Sequence, residues 1–176
     1  MKICRILCSL ILCSLILCAL VCVASLVACS VTGPPKTMIG KLAPLVELYS
    51  IDGVQFNLDE YQNKPLVLLF WAQWCRRSKS FVQDLRDAAP LLKNRGVSIL
   101  AVDIDKQENL AALKMMIRDY KLDAFDHAFS GNDVYDQAFN AFSCGEVPTV
   151  FILDSSHRIV TQGNSFDVIS EHYRLD

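Results

Sequence analysis

Cys75 lies in a sequence context that favours thiolate chemistry. It follows the apolar run at residues 65–72 and directly precedes Arg76 and Arg77, where the hydrophobic spacing changes from that of a strand to that of a helix. A cysteine at the start of a helix meets unpaired backbone N–H groups and the positive end of the helix dipole, and both stabilise the thiolate. The two arginines add positive charge. We therefore predict that Cys75 is a reactive nucleophile rather than a buried structural cysteine.

The elements that would position Cys75 alternate between strand and helix. Apolar runs and alternating patterns predict strands at 46–50, 54–57, 65–72, 97–102, 127–129, 149–153 and 158–162. Helical spacing predicts helices from Arg76 to about 95, at 107–120, near 132–141 and at the C-terminus. Pro90 should kink or split the first helix near its end. Right-handed crossovers between these elements give an α/β fold with one central sheet and helices on both faces.

The first 28 residues read as a secretory signal peptide. Lys2 and Arg5 give a positive start, and residues 6–28 are almost wholly apolar. The segment ends in Leu26-Val27-Ala28-Cys29, which resembles the bacterial lipobox and implies a lipid on Cys29. The alternative is an uncleaved signal anchor, because about 20 apolar residues can span a bilayer. Both interpretations place the domain outside the cytoplasm, attached to a membrane, where disulfides form.

The rest of the chain divides into a tether and a domain. Residues 29–44 are rich in glycine and proline and predict a tether, and residues 45–176 predict the folded domain. Of the eight cysteines in the chain, all but Cys75 and Cys144 lie within the first 29 residues. That distribution excludes a cystine-dense scaffold and a four-cysteine zinc site. The net charge of the chain is −2, and an acidic chain is not typical of a nucleic-acid-binding protein. We expect no metal site, because the histidines share no ligand spacing with Cys75.

Two landmarks carry a resemblance to a known family. They are Trp74-Cys75 after a buried strand and, further along the chain, Val147-Pro148-Thr149 before another strand. Over residues 43–165 the chain resembles the thioredoxin family, in particular the membrane-tethered TlpA/ResA type of the bacterial envelope. The resemblance implies a thioredoxin-like α/β fold, with a central mixed β-sheet flanked by helices. It also implies a cis peptide bond before Pro148, a substrate surface formed by Trp74, Val147 and Pro148 opposite Cys75, and no cofactor.

Three positions depart from the pattern of that family. Ser78 stands where the motif has its second cysteine, and a hydroxyl can hydrogen-bond to a thiolate but cannot attack a mixed disulfide. Leu69 replaces the usual Asp or Asn, which assists the second cysteine, and Gln83 lies near the position of a missing helix proline. Other relatives fit less well. Ala72 stands where peroxiredoxins carry Thr or Ser, and Lys79 where the copper carriers have their second cysteine.

A single thiolate limits the reactions that this motif can perform. It can open a substrate disulfide, but another thiol must then release the mixed disulfide. If that thiol belongs to the substrate, the cycle is an isomerisation. If it is a low-molecular-weight thiol, the cycle is a reduction. Cys144 lies close to the active-site face of the family fold. We interpret it first as a core side chain and keep open that it is a resolving thiol.

These observations predict an extracytoplasmic, membrane-anchored thiol-disulfide oxidoreductase or disulfide isomerase with a single nucleophile. Cys75 is then the nucleophile and Ser78 a hydrogen-bond donor to its thiolate. Partners would be protein thiols or disulfides of the bacterial cell envelope, low-molecular-weight thiols, and the membrane through the N-terminus. Nucleic acid is not expected. The alternative is a redox-inactive lipoprotein that uses the thioredoxin fold for binding or as a chaperone-like module.

Overall fold

The computed structural model describes residues 37–175, which build an α/β arrangement around one five-stranded sheet. The strands are β1 (Glu47–Tyr49), β2 (Gln55–Asn57), β3 (Leu66–Trp71), β4 (Ser98–Asp103), β5 (Asp126–Phe129), β6 (Thr149–Leu153) and β7 (Ile159–Gly163). The α-helices are α1 (Arg76–Asn94), α2 (Leu110–Asp119), α3 (Gln137–Ala141) and α4 (Asp167–Tyr173). Residues 1–36 and 176, and with them the predicted signal peptide and Cys29, lie outside the described residues. No helix between residues 37 and 175 is long and apolar enough to cross a membrane.

The strand order in the main sheet is β5-β4-β3-β6-β7. Strand β3 pairs in parallel with β4 and antiparallel with β6, so the sheet is mixed, as predicted. All six residues of β3 are buried, and a continuous apolar run is typical of a strand covered on both faces. Strands β1 and β2 form a separate antiparallel hairpin, with Leu48 opposite Phe56 and a turn at Gly53, whose φ is +80°.

The alternating side chains of β3 contribute to two hydrophobic cores. Leu66, Leu68 and Phe70 pack with aromatic side chains that include Phe142 and Phe151. Residues 67, 69 and 71 point to the other face, because side chains alternate along a strand. There Leu69 and Trp71 lie in the core that also contains the buried face of α1.

Helix α1 spans Arg76–Asn94, which matches the predicted range, and it runs through Pro90 without a break. Its buried face consists of Ser78, Phe81, Val82, Leu85, Ala89 and Leu92, which recur at helical spacing. Of the two effects predicted for Pro90, the split is wrong, since the helix continues to Asn94, and the kink stays a prediction. Pro90 is exposed, so its ring lies on the outer face of the helix and takes no space from the core.

The helix predicted near 132–141 consists of two shorter pieces. A 3-10 turn covers Asp133–Tyr135, and α3 begins after Asp136. The carboxylate of Asp136 accepts a hydrogen bond from the backbone N–H of Phe139 at 2.7 Å, which is a helix N-cap. This cap starts a new helix at the position where the sequence suggested the middle of one.

Leu85→Ala should destabilise the fold strongly, because Leu85 is fully buried between α1 and the sheet. We expect a loss of about 3 kcal/mol in the free energy of unfolding, as for other buried leucines. Leu91→Ala on the same helix is the control, since Leu91 is 40% exposed and should lose about 1 kcal/mol or less. Urea denaturation followed by circular dichroism compares the two variants, and equal losses would contradict this packing of α1.

Candidate active site

Cys75 occupies the N-cap position of helix α1. Its carbonyl accepts the first helical hydrogen bond, from the N–H of Lys79 at 3.1 Å, and its own N–H donates to the carbonyl of Ala72 at 3.1 Å. The turn therefore leads directly from the end of β3 into the helix. The thiol is partly exposed, so a substrate sulfur can approach it.

The structure brings Cys75 against the loop that contains Pro148. The peptide bond between Val147 and Pro148 is cis, which confirms the expectation from the family resemblance. The thiol of Cys75 donates to the carbonyl oxygen of Val147 across 3.4 Å. Because strand β6 begins at Thr149 beside β3, both groups lie at the same edge of the sheet. Three of the predicted site residues are thus next to one another.

Ser78 lies on the buried face of α1, one turn after Cys75. Its side chain is fully buried, and its Oγ has no hydrogen-bond partner among residues 37–175. Leaving a buried hydroxyl unpaired is unfavourable, and such groups often have a functional reason. Here the hydroxyl lies close enough to Cys75 to stabilise its thiolate. Ionisation of the thiol therefore gives the buried hydroxyl an acceptor that it otherwise lacks.

Opposing effects determine the acidity of Cys75. Burial raises the pKa of the thiol, and this is the largest single effect. The hydroxyl of Ser78, the backbone N–H groups of Ser78 and Arg77, and the charge of Arg77 act in the other direction. Together they outweigh burial, so the pKa of Cys75 is lower than that of an ordinary thiol. A lowered pKa increases the thiolate fraction near neutral pH, and the thiolate is the nucleophile.

An ion pair that the sequence did not reveal joins the two sides of the site. Arg77 Nη2 donates to Glu146 Oε2 at 2.8 Å and also reaches the carbonyl oxygen of Val147 at 3.5 Å. The amide of Asn164 donates to the other oxygen of Glu146 at 2.9 Å. Both charged side chains are more than half exposed, and exposed pairs contribute little to stability. The contact orients the loop before Pro148 relative to the start of α1.

The surface around the thiol combines apolar and cationic groups. The side chain of Trp74 is 63% exposed, although tryptophan is usually more buried. A groove of about 460 Å³ runs beside Pro148 and is also lined by Arg76, Phe81 and Phe166. A larger groove of about 590 Å³ lies near residues 43–47 and contains none of the predicted site residues.

Cys144 is a free thiol, as is Cys75, within the described part of the chain. It packs against the core that contains Phe70 and Phe142. Burial, and next the negative charge of Asp136, raise the pKa of Cys144 far above that of an ordinary thiol. The surroundings of this side chain are those of a core residue, in line with the first interpretation of Cys144, and a resolving role stays the open alternative.

Behind the thiol lies a pair of buried carboxyl groups that the sequence analysis did not identify. Asp103 ends strand β4, and Asp105 follows two residues later, with both side chains almost completely buried. The backbone N–H of Gln73, two residues before Cys75, donates to Asp105 Oδ2 at 2.7 Å. The spacing Asp-Ile-Asp at the end of an apolar strand was the available signal. That signal is weak, because an aspartate at the end of a strand is more often exposed than buried.

Comparison with known proteins shows the family to which the chain is related. A model of the AhpC/TSA family matches residues 39–162. A thiol-disulfide oxidoreductase ResA of Bacillus cereus is 30% identical over 125 residues, which cover 71% of this chain and 69% of that protein.

Solved structures share the same fold. The thioredoxin domain of a thiol-disulfide oxidoreductase from Bacteroides vulgatus superposes with a TM-score of 0.69 at 18% identity, covering 79% of this chain and 97% of that one. A thiol-disulfide oxidoreductase from Bacteroides fragilis gives a TM-score of 0.67 at 19% identity, covering 77% and 100%. These likenesses confirm the predicted thioredoxin-like α/β fold.

Ser78→Ala should raise the pKa of Cys75, because it removes the side-chain donor that stabilises the thiolate. We expect the midpoint to move to higher pH, since a hydrogen bond to a charged group is stronger than one between neutral groups. The pH dependence of iodoacetamide alkylation, with the Cys75 peptide quantified by mass spectrometry, measures it. Ser80→Ala is the control, because Ser80 is exposed on the same helix. An unchanged or lower midpoint in Ser78→Ala contradicts the role of the hydroxyl.

Proposed function

The chain belongs to the AhpC/TSA family of thioredoxin-like proteins, and we propose that it catalyses thiol–disulfide exchange through a single nucleophile, Cys75. One observation carries the proposal. A thiol of lowered pKa begins helix α1 and lies directly against the cis peptide bond before Pro148. The names of its relatives, thiol-disulfide oxidoreductases, support the same reaction class.

The first step is the attack of the Cys75 thiolate on one sulfur of a substrate disulfide. A new S–S bond forms between Cys75 and that sulfur, and the other sulfur leaves as a thiolate and takes up a proton. Ser78 stabilises the attacking thiolate but has no sulfur with which to release the product. The mixed disulfide therefore persists until a second thiol attacks it.

The source of that second thiol decides the net reaction. A thiol of the same substrate attacks the mixed disulfide, forms a new substrate disulfide and returns Cys75 unchanged, which is an isomerisation. Alternatively, a low-molecular-weight thiol attacks the sulfur of Cys75, and a further molecule of that thiol then regenerates Cys75, which is a reduction that consumes two external thiols. Protein thiols and disulfides are substrates in both cycles.

The loop before Pro148 is the proposed substrate surface. Proline lacks an N–H, so a substrate strand meets only the backbone groups of its neighbours there. The exposed indole of Trp74 supplies apolar contact on the other side of the thiol. Val147 is also part of this surface, since its carbonyl oxygen accepts the hydrogen bond from the Cys75 thiol.

The missing second cysteine and the exposed Trp74 favour one further candidate function. The same surface could hold client segments without any exchange of disulfides, as a binding or chaperone-like module. Binding of unfolded clients that is equally strong in Cys75→Ser, together with no turnover by the wild type, would support this candidate. Peroxidase activity is not proposed, because Ala72 replaces the hydroxyl residue of peroxiredoxins.

We also propose that the protein acts in the bacterial cell envelope. Residues 1–28 are then a lipoprotein signal peptide, residues 29–44 the tether, and residues 45–176 the domain. A lipid on Cys29 would keep Cys75 near the membrane, in a compartment where substrate disulfides form. The support for this proposal is the apolar, uncharged leader that ends at Cys29.

Cys75→Ser should abolish turnover of a disulfide substrate, whereas Cys144→Ala should leave the rate nearly unchanged. The raised pKa of Cys144 keeps that thiol protonated and therefore unreactive. Reactivation of a scrambled disulfide protein, with and without an added low-molecular-weight thiol, measures both cycles. Full activity in Cys75→Ser, or a Cys75–Cys144 crosslink found by peptide mapping after mild oxidation, would overturn the single-nucleophile mechanism.

Ser78→Cys tests the effect of the missing second thiol, because it places a cysteine at the second position of the motif. Wild-type protein should accumulate mixed disulfides on Cys75 in cells, and Ser78→Cys should reduce their amount by releasing the substrate itself. Equal accumulation in both proteins would show that the missing thiol does not limit release.

The mature protein should begin at Cys29 and carry a lipid. Intact-mass measurement on protein from the native host gives both the N-terminus and the added mass. A mature chain that retains residues 1–28 would contradict the lipoprotein processing, but not the placement of the domain outside the cytoplasm.

A further inference from the structure

The two buried carboxyl groups behind Cys75 form a chain of hydrogen bonds that ends at the active-site turn. Asp103 Oδ1 accepts from the backbone N–H of Asp105 at 2.8 Å. Asp105 in turn accepts from the backbone N–H of Gln73 at 2.7 Å and from the side-chain amide of Asn109 at 3.1 Å. The chain therefore connects the end of β4, the start of α2 and the residues just before Cys75.

One atom of this cluster is unsatisfied. Asp103 Oδ2 is buried and has no hydrogen-bond partner among residues 37–175. The burial of Asp103 and, next, the negative charge of Asp105 raise the pKa of Asp103 to about 8. Because a carboxyl group is half ionised at its pKa, Asp103 is mostly protonated at neutral pH.

Among residues 37–175, no positively charged group contributes to the pKa of Asp103 that could compensate its ionisation. Asp105 is the charged group that faces it, and both Gln73 of the active-site turn and Asn109, which precedes α2 and bonds to Asp105, are neutral. The buried faces of α1 and α2 carry no charged side chain. Lys106 and Glu108, which follow on the chain, are exposed. A second negative charge in this position is therefore strongly unfavourable.

We propose that Asp103 is a positioning residue for the reactive thiol. In its neutral form Asp103 fixes the position of Asp105 through the hydrogen bond from the Asp105 N–H. Asp105 in turn accepts from the N–H of Gln73 and so fixes the turn that contains Cys75. Loss of the Asp103 proton places two negative charges side by side, and their repulsion weakens the hold on Gln73. The inference rests on the proposed role of Cys75 as the nucleophile.

The sign of the pH effect follows from these groups. The rate of exchange first rises with pH, as Cys75 becomes a thiolate. It then falls as Asp103 loses its proton. The stability of the fold follows a different course: it falls as pH rises from the pKa of an unfolded aspartate to about 8, because unfolding there releases the proton that buried Asp103 retains, and it levels off above that value.

The test compares wild type, Asp103→Asn and Glu108→Gln, the last being a control for an exposed acid nearby. The full chain reacts with the neutral reagent 2-hydroxyethyl disulfide from about pH 6 to about pH 10. Mass spectrometry of the Cys75 peptide gives the rate constant without interference from the leader cysteines. Infrared difference spectra report the carbonyl band of a protonated carboxyl group.

We expect the wild-type and Glu108→Gln rate constants to fall about threefold to tenfold on the alkaline side, since small displacements of reacting groups are costly. Asp103→Asn should lack this fall, and it should also lack the infrared band that disappears near the Asp103 pKa of about 8. A profile of Asp103→Asn that matches wild type overturns the proposal, even if the band titrates, because Asp103 is then only structural.

Circular dichroism shows whether Asp103→Asn folds. If it does not, the wild-type measurements alone still test the positioning role of Asp103. A wild-type profile without an alkaline fall, or without a titrating carboxyl band, overturns the role of Asp103. Absence of exchange at Cys75 at every pH contradicts the proposed function instead. Exchange that lacks the alkaline fall contradicts only the positioning role.

Discussion

The pairing of β3 on both sides is the constraint on which the site depends. In parallel register with β4, Trp71 lies beside Asp103, and in antiparallel register with β6, Phe70 lies beside Thr149. The chain leaves β3 at this end and reaches Cys75 within a few residues. The thiol thus contacts the cis-proline loop, while the turn just before it is hydrogen-bonded to Asp105 of the buried carboxyl pair. A slip of one residue in either register would move these groups to the wrong face.

The position of Ser78 shows how a single-thiol site can still favour the thiolate. Burial opposes ionisation of Cys75, and no carboxylate at position 69 assists it, because that position is an apolar core residue. The donors come instead from the helix start, from Arg77 and from the hydroxyl of Ser78. This hydroxyl lacks a hydrogen-bond partner while the thiol is neutral. Its burial is therefore less unfavourable when Cys75 is a thiolate, because the thiolate accepts its hydrogen bond.

Much of the fold could be predicted from the sequence, because the signals for it are local. The apolar run of β3, the helical spacing after Cys75 and the glycine turn at residue 53 each appear within a few residues. Glu146 and Asp103 could not be found in this way. Arg77 meets Glu146 only through tertiary structure, and Asp103 is buried only because β4 pairs on both sides. The expected split at Pro90 is absent for a related reason, since the effect of a proline depends on whether it lies on the exposed face of the helix.

The buried acid Asp103 lies at a different position from the acid of the thioredoxin pattern, and the role proposed for it differs accordingly. The family carboxyl, at the position of Leu69, serves the second cysteine of the motif. Here Leu69 pairs with Ala101, and Asp103 follows on the same face of the neighbouring strand, nearer the end at which Cys75 lies. With Ser78 in place of the second cysteine, no buried thiol needs a proton acceptor. A carboxyl group that stays neutral can instead serve as a hydrogen-bonding brace, and the contact from Asp105 to Gln73 is the route by which it reaches the thiol.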